Sequence, residues 1–168
     1  GFAPLYLGKG GISLNVDVFA TASAIFRGVL ADLNPTVLSF EMKEAGRGAD
    51  FATDLTTLQT HFDAAIPTAD LLWIQSNPVP DSTENTEQIL HNSLLATHAA
   101  AQSAMNRRNV FDAYTPFGSF AQMLAVGFAA ADDVHRTATG SVYVTSLFAA
   151  DYAIFDIPRT PIPQSALA

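Results

Sequence analysis

The stretch FATDLTTLQTHFDAAIPTADLLWIQ, residues 51–75, decides the fold, because one amphipathic helix, its stop signal and one buried strand follow each other in it. Phe51, Leu55, Leu58, Phe62 and Ile66 recur at steps of three or four, which puts all five on one stripe of an α-helix. Asp50 stands where an N-terminal cap belongs. Pro67 stops the helix, since it has no N–H to donate and its ring collides with the preceding turn. Asp70 to Gln75 then forms an apolar run without clean alternation, as in a strand covered on both faces.

The same alternation extends outward in both directions. Pro4 to Leu7, Thr36 to Phe40 and Asn109 to Ala113 are further short apolar runs. Between them the spacing predicts a helix from Leu14 to Leu33, with Leu14, Val18, Ala22, Ile25, Val29 and Leu33 on one stripe and Asn34-Pro35 closing it. A third helix is expected from Glu84 to Arg107, with Leu90, Leu94, Ala101 and Met105 on one side and Arg107 and Arg108 near its negative end. A fourth is expected from Ala138 to Phe155.

Strands alternating with helices of this length imply right-handed crossovers and a mostly parallel sheet with helices on both faces, an α/β fold of the three-layer α/β/α sandwich kind. No repeat or linker divides residues 1–156, which read as one domain, and Pro158, Pro161 and Pro163 mark 157–168 as an extended tail. Functional groups in such sheets gather at the carboxyl ends of the strands. That singles out Gly8 to Ser13, Glu41 to Gly48, Ser76 to Thr83 and Tyr114 to His135.

Composition narrows the classes of function. The chain has 168 residues, 49% of them apolar, enough for a core of its own. Its 16 acidic residues outnumber 8 basic ones, the net charge is −8, and no basic patch exists to hold nucleic-acid phosphates or polyanionic metabolites. The absence of cysteine excludes disulfides, thiolate metal sites and a cysteine nucleophile, and leaves the compartment open. No apolar run approaches the ~20 residues that span a bilayer, so no membrane partner is expected. The chain begins at Gly1, without methionine and just before an apolar run, and so reads as an excised or processed piece.

The strongest local signal for chemistry is Asp132-x-x-His135, followed by Thr137, Gly140 and the last helix. A carboxylate three residues before an imidazole can fix its tautomer and stabilise its protonated form, leaving the other ring nitrogen as a base. The same residues in a polar loop also serve as plain solvent-exposed or capping groups. Set against the rest of the chain, the order of segments resembles the SGNH (GDSL-type) hydrolase family over nearly its whole length. Leu7-Gly8-Lys9-Gly10-Gly11-Ile12-Ser13 is similar to that family's second block, in which a glycine N–H helps form the oxyanion hole. Pro35 to Phe40 followed by Glu41-Met42-Lys43-Glu44-Ala45-Gly46 resembles the strand that ends there in Gly-x-Asn-Asp. Asp132 and His135 fall where the family keeps its triad acid and base.

The resemblance implies a flavodoxin-like sheet, with His135 and Asp132 as catalytic residues, Gly10, Gly11 and Lys43 around the oxyanion, and neither metal nor cofactor. It departs from the family in two places. The first block, a central strand delivering Gly-Asp-Ser, is missing from these residues, and neither Ser13 nor Ser76 stands in an equivalent context. In the third block Glu41 replaces the glycine and Lys43 the asparagine donor. A lysine acts as a point charge without the amide's fixed geometry. The central strand would then come from an upstream segment or a partner chain.

Other candidates have plainer readings. His91 and His98 lie two helical turns apart, too far to share a metal, and read as helix-surface residues. Gly8-Lys9-Gly10-Gly11 lacks the Walker spacing of a phosphate loop. Trp73, Phe40 and Phe111 could stack on a sugar but read as core, and the apolar loop Tyr114 to Ala131 reads by default as core packing, with a short helix covering the site or contacting a neighbour as the alternative. Two functions follow. One is a serine esterase or deacetylase acting on acyl or acetyl esters, with carbohydrate esters among them, completed by a serine from outside the chain. The other is an inactive structural or glycan-binding module of a larger assembly such as a viral appendage or capsid, with extracellular or virion-associated localisation.

Overall fold

A computed structural model describes residues 23–41, 46–130 and 136–151. In chain order the elements are α1 (Ser23–Leu33), β1 (Val37–Glu41), α2 (Phe51–Ala65), β2 (Asp70–Ile74), α3 (Ser82–Ala101), β3 (Asn109–Phe111), α4 (Phe120–Ala125) and α5 (Ala138–Asp151). The expected strand at Pro4 to Leu7, the first part of the first helix and the tail 157–168 lie outside the described residues.

The three strands form one parallel sheet in the order β1-β2-β3, with Val37 opposite Asp70 and Trp73 opposite Val110. Side chains alternate across a strand, so the central β2 feeds both faces. Leu71 and Trp73 enter a cluster with Leu30 of α1, with Phe51, Leu55, Leu58 and Phe62 of α2, and with Leu95 and Ala99 of α3. Leu72 turns the other way, to Phe111 and Ala113 and the partly buried Val144 and Leu147 of α5. Helices thus cover both faces of the parallel sheet, which makes the fold the expected α/β sandwich. Among the described residues β1 has β2 as its one strand partner.

The decisive stretch folds as its spacing requires. Phe51, Leu55, Leu58, Phe62 and Ile66 are all buried, and Trp73 meets Phe40 and Phe62 at ring-centroid distances of 6.2 and 5.8 Å. Asp50 is no cap, however. It belongs to a 3-10 turn, Gly48–Asp50, and its φ of −64° and ψ of −20° are already helical, whereas a capping side chain needs extended backbone.

Two helix faces differ from expectation. On α1 the stripe Ile25, Val29 and Leu33 is exposed, while Leu30 is buried and Phe26 packs on the core. The buried face is displaced by one residue, about 100° around the helix. On α3 the helix ends at Ala101, Leu90 and Met105 are exposed, and Gln88, His91, Asn92, Leu95 and Ala99 are buried. The helix lays a polar stripe against the loop after β2, so apolar periodicity alone picked the wrong side. His91 is therefore not a surface residue, and His98 is half-buried with its ring 5.4 Å from Trp73. Arg107 does not serve the end of α3 either. It is buried in a 3-10 turn, where Nη2 donates to the Ile66 carbonyl at 2.6 Å and the backbone carbonyl accepts from Trp73 Nε1 at 3.2 Å.

Candidate functional site

Each strand delivers a loop at its carboxyl end, and polar side chains hold these loops. After β1, the residues beyond position 45 are anchored by Glu87 of α3, whose carboxylate accepts from Gly46 N at 2.9 Å and Gly48 N at 2.7 Å. Both glycines have positive φ, 76° and 49°, a region that a side chain disfavours. The Gly46 N–H, then that of Gly48, with smaller help from His91 and the Arg47 backbone, holds the Glu87 carboxyl below its ordinary pKa against the opposing effect of burial. Arg47 forms a two-bond pair with Asp54 of α2, at 2.7 and 2.8 Å. His91 stacks on Phe51 with centroids 4.2 Å apart. A shallow open cleft beside this anchor is lined by Gly48, Ser82, Thr83, Thr86 and Glu87.

After β2, Asn92 clamps Ser76 through its amide. The Ser76 N–H donates to Asn92 Oδ1 at 3.0 Å, and Asn92 Nδ2 donates to the Ser76 carbonyl at 3.0 Å. Gln88 supports the same Oδ1 at 3.1 Å. Ser76 is 3% exposed, so it belongs to the loop's framework and not to the exposed turn that presents a nucleophile. Farther along, Asn85 accepts from Val79 N at 3.1 Å and bonds the Tyr114 hydroxyl at 3.0 Å, tying this loop to the one after β3. Asp81 caps α3 by accepting from Thr83 N and Glu84 N.

After β3, the apolar loop does contain a short helix, α4, and buries Phe117 and Met123 against Ala129. The chain then returns toward α5 through a pinched pair of stems. Ala129 and Arg136 form an antiparallel bridge, Thr137 N donates to the Phe128 carbonyl at 2.9 Å, and Thr137 Oγ1 donates to the Gly127 carbonyl at 2.7 Å. Thr137 Oγ1 also accepts from Gly140 N at 3.1 Å, in the first turn of α5.

The sequence-predicted site residues Asp132, His135, Gly10, Gly11 and Lys43, together with Ser13, lie outside the described residues. The residues next to two of them are described, and they meet. Arg136 Nη2 lies 2.6 Å from Glu41 Oε2, with side chains 18% and 31% exposed. The end of β1 and the residue after His135 are therefore joined across 95 positions of sequence. Sequence reasoning missed this pair, the Glu87 anchor and the Asn92 clamp. The polar stripe Gln88, His91, Asn92 at helical spacing was the one signal that could have revealed the clamp.

No protein-family model matches this sequence, and no curated protein matches it either. Among solved structures, the chain is similar to a carbohydrate esterase family 3 protein from Talaromyces cellulolyticus, with a TM-score of 0.63 and 14% sequence identity. The match covers 84% of this chain and 68% of that one. At such identity the likeness shows the fold, an α/β sandwich, and nothing finer.

Proposed function

We propose that this chain is the acid–base and oxyanion half of an SGNH-type ester hydrolase acting on acyl or acetyl esters, carbohydrate esters among them, with the nucleophilic serine contributed from outside residues 1–168. In this reading His135 takes the serine proton as the hydroxyl oxygen attacks the ester carbonyl carbon, and Asp132 orients the imidazole and stabilises its charge. The tetrahedral oxyanion is held by the Gly10 or Gly11 N–H and by the Lys43 ammonium. Its collapse expels the alcohol, which receives the proton from His135, and water then releases the acyl group by the same steps in turn.

The observation that carries the reading is the Glu41–Arg136 ion pair. Lys43 follows Glu41 by two residues, and His135 immediately precedes Arg136. The 2.6 Å contact between Glu41 and Arg136 supports this reading, since these are the described residues nearest in sequence to Lys43 and to His135. Hydrolysis of p-nitrophenyl acetate and of an acetylated sugar by the natural full-length product is the test. Turnover is expected, with His135→Ala lowering kcat/KM by ~10³-fold or more. Equal turnover by that variant, or none by the full-length protein, overturns the reading.

One observation favours the second reading, a non-catalytic glycan-binding or structural module. Glu41 stands where the third block of the family has glycine, and its carboxylate is committed to Arg136. Binding of an acetylated glycan by a full-length protein that hydrolyses nothing is the outcome this reading expects.

A further inference from the structure

The turn between α3 and β3 presents a thioether to solution. Met105, the first residue of the 3-10 turn Met105–Arg107, is 73% exposed, whereas Met123 of α4 is 1% exposed and packs with Phe117 and Ala129. The two residues that follow Met105 hold the turn in place. Asn106 Nδ2 donates to the Ala69 carbonyl at 2.9 Å, and the buried Arg107 donates to the Ile66 carbonyl at 2.6 Å. Arg108 then lays its guanidinium over the end of α3, where Nε donates to the Gln102 carbonyl at 2.6 Å and Nη2 to the Ala100 carbonyl at 3.3 Å. Its third nitrogen, Nη1, lies 3.6 Å from Met105 Sδ. The sulfur is thus open to reagents on one side and faces a cation on the other.

A thioether sulfur is a weak acceptor, and oxidation to the sulfoxide makes the side chain polar. We infer that Met105 is an oxidation site for hydroperoxides, and that Arg108 receives the sulfoxide so as to close a clasp on the end of α3. A sulfur lone pair attacks the outer peroxide oxygen, and the S–O bond forms as the O–O bond breaks. The proton on the attacked oxygen passes to the leaving oxygen, which departs as an alcohol, or as water from hydrogen peroxide. Sulfur is oxidised by two electrons and the peroxide is reduced by two. The new oxygen accepts from Arg108 Nη1, and a hydrogen bond from a charged donor is roughly twice as strong as one between neutral groups. A buried methionine such as Met123 loses its packing when it turns polar. Met105 is exposed and has little packing to lose, so oxidation tightens the joint between α3 and β3 instead of opening it. None of this rests on the ester chemistry proposed above.

Dilute hydrogen peroxide on the full-length protein, followed by peptide mass spectrometry, tests the site. Met105 is expected to gain an oxygen ~10-fold or more faster than Met123, and equal rates overturn the proposal. Backbone hydrogen exchange over residues 98–109 tests the clasp, with each sample compared with its own untreated form. Exchange in the oxidised wild type is expected to slow about threefold. Met105→Leu takes up no oxygen at this position and is expected to show no slowing, which separates the effect from oxidation of any other methionine. Arg108→Ala is expected to oxidise at Met105 and likewise show no slowing. Unchanged or faster exchange in the oxidised wild type, or a slowing that survives either substitution, overturns the clasp.

Discussion

The two faces of the sheet are built differently. Toward α1, α2 and α3 a single continuous cluster is buried, from Leu30 through Phe51, Leu55, Leu58 and Phe62 to Trp73, Leu95 and Ala99. Toward α5 there are two small clusters, Leu72 with Phe111 and Ala113, and Phe117 with Met123 and Ala129, each completed by side chains that are only partly buried. The dense face holds the scaffold. On the sparse side Arg136 is bridged to Ala129 and ion-paired to Glu41 of β1.

The comparison is broken most directly by truncating β2 on one face and then the other. Trp73→Ala is expected to cost ~3–5 kcal/mol, as a fully buried aromatic does, and it also removes the donor to the Arg107 carbonyl. Leu72→Ala, on the same strand but facing α5, is expected near the low end of the Leu→Ala range, ~2–3 kcal/mol, since its partly buried neighbours can close over the space. Urea unfolding measures both. Equal losses would mean that the sparse face is no less essential than the dense one.

Gly140→Ala sharpens the comparison on the sparse side alone. A Cβ there would lie 2.4 Å from the Phe128 carbonyl oxygen and 3.1 Å from Phe128 Cα, backbone atoms that cannot turn aside. In an open helix this change adds up to ~1 kcal/mol of stability. Here it is expected to cost ~1–3 kcal/mol, as overpacking does, because α5 must move off the stem that carries residues 131–135. A fall in thermal midpoint with faster exchange at 128–140 is the expected result. A rise would show that α5 is free to shift.

The same division explains what was legible in the sequence. Apolar periodicity reports burial against apolar partners, so the α2 stripe and the runs that became β1, β2 and β3 were readable from spacing. Where burial is polar, periodicity misleads. On α3 it chose Leu90, which is exposed, over His91, which is buried on Phe51, and Asn92, which is buried on the loop after β2. On α1 the exposed Ile25, Val29 and Leu33 form as regular a stripe as the buried face, and spacing does not rank two apolar faces. As for the site, motif spacing could nominate Asp132 and His135. The ion pair that joins Glu41 to Arg136 spans 95 residues and leaves no local pattern.

The smallest effect expected is a dependence on pH that separates the two regions. Burial against the edge of Trp73 holds His98 below its ordinary pKa of 6.5, with Asp63 opposing, and burial does the same to His61 with Arg27 assisting. A histidine depressed in the folded state takes up its proton more readily when unfolded, so stability is lost as pH falls through 6.5 toward the folded value. Glu87, held low by Gly46 and Gly48, contributes stability above its ordinary value of 4.5 and loses it as pH falls further, through the folded value. Both slopes have the same sign but occupy different windows. The urea midpoint is thus expected to fall in two stages between pH 7 and pH 3. His98→Gln should flatten the first stage, which belongs to the dense face. Glu87→Gln should flatten the second and speed exchange at 46–48, because that carboxylate fastens the loop after β1. If His98→Gln alone removed both stages, loop and scaffold would be titrating as one unit, and the separation between the dense core and the loops at the ends of the strands would not hold in solution.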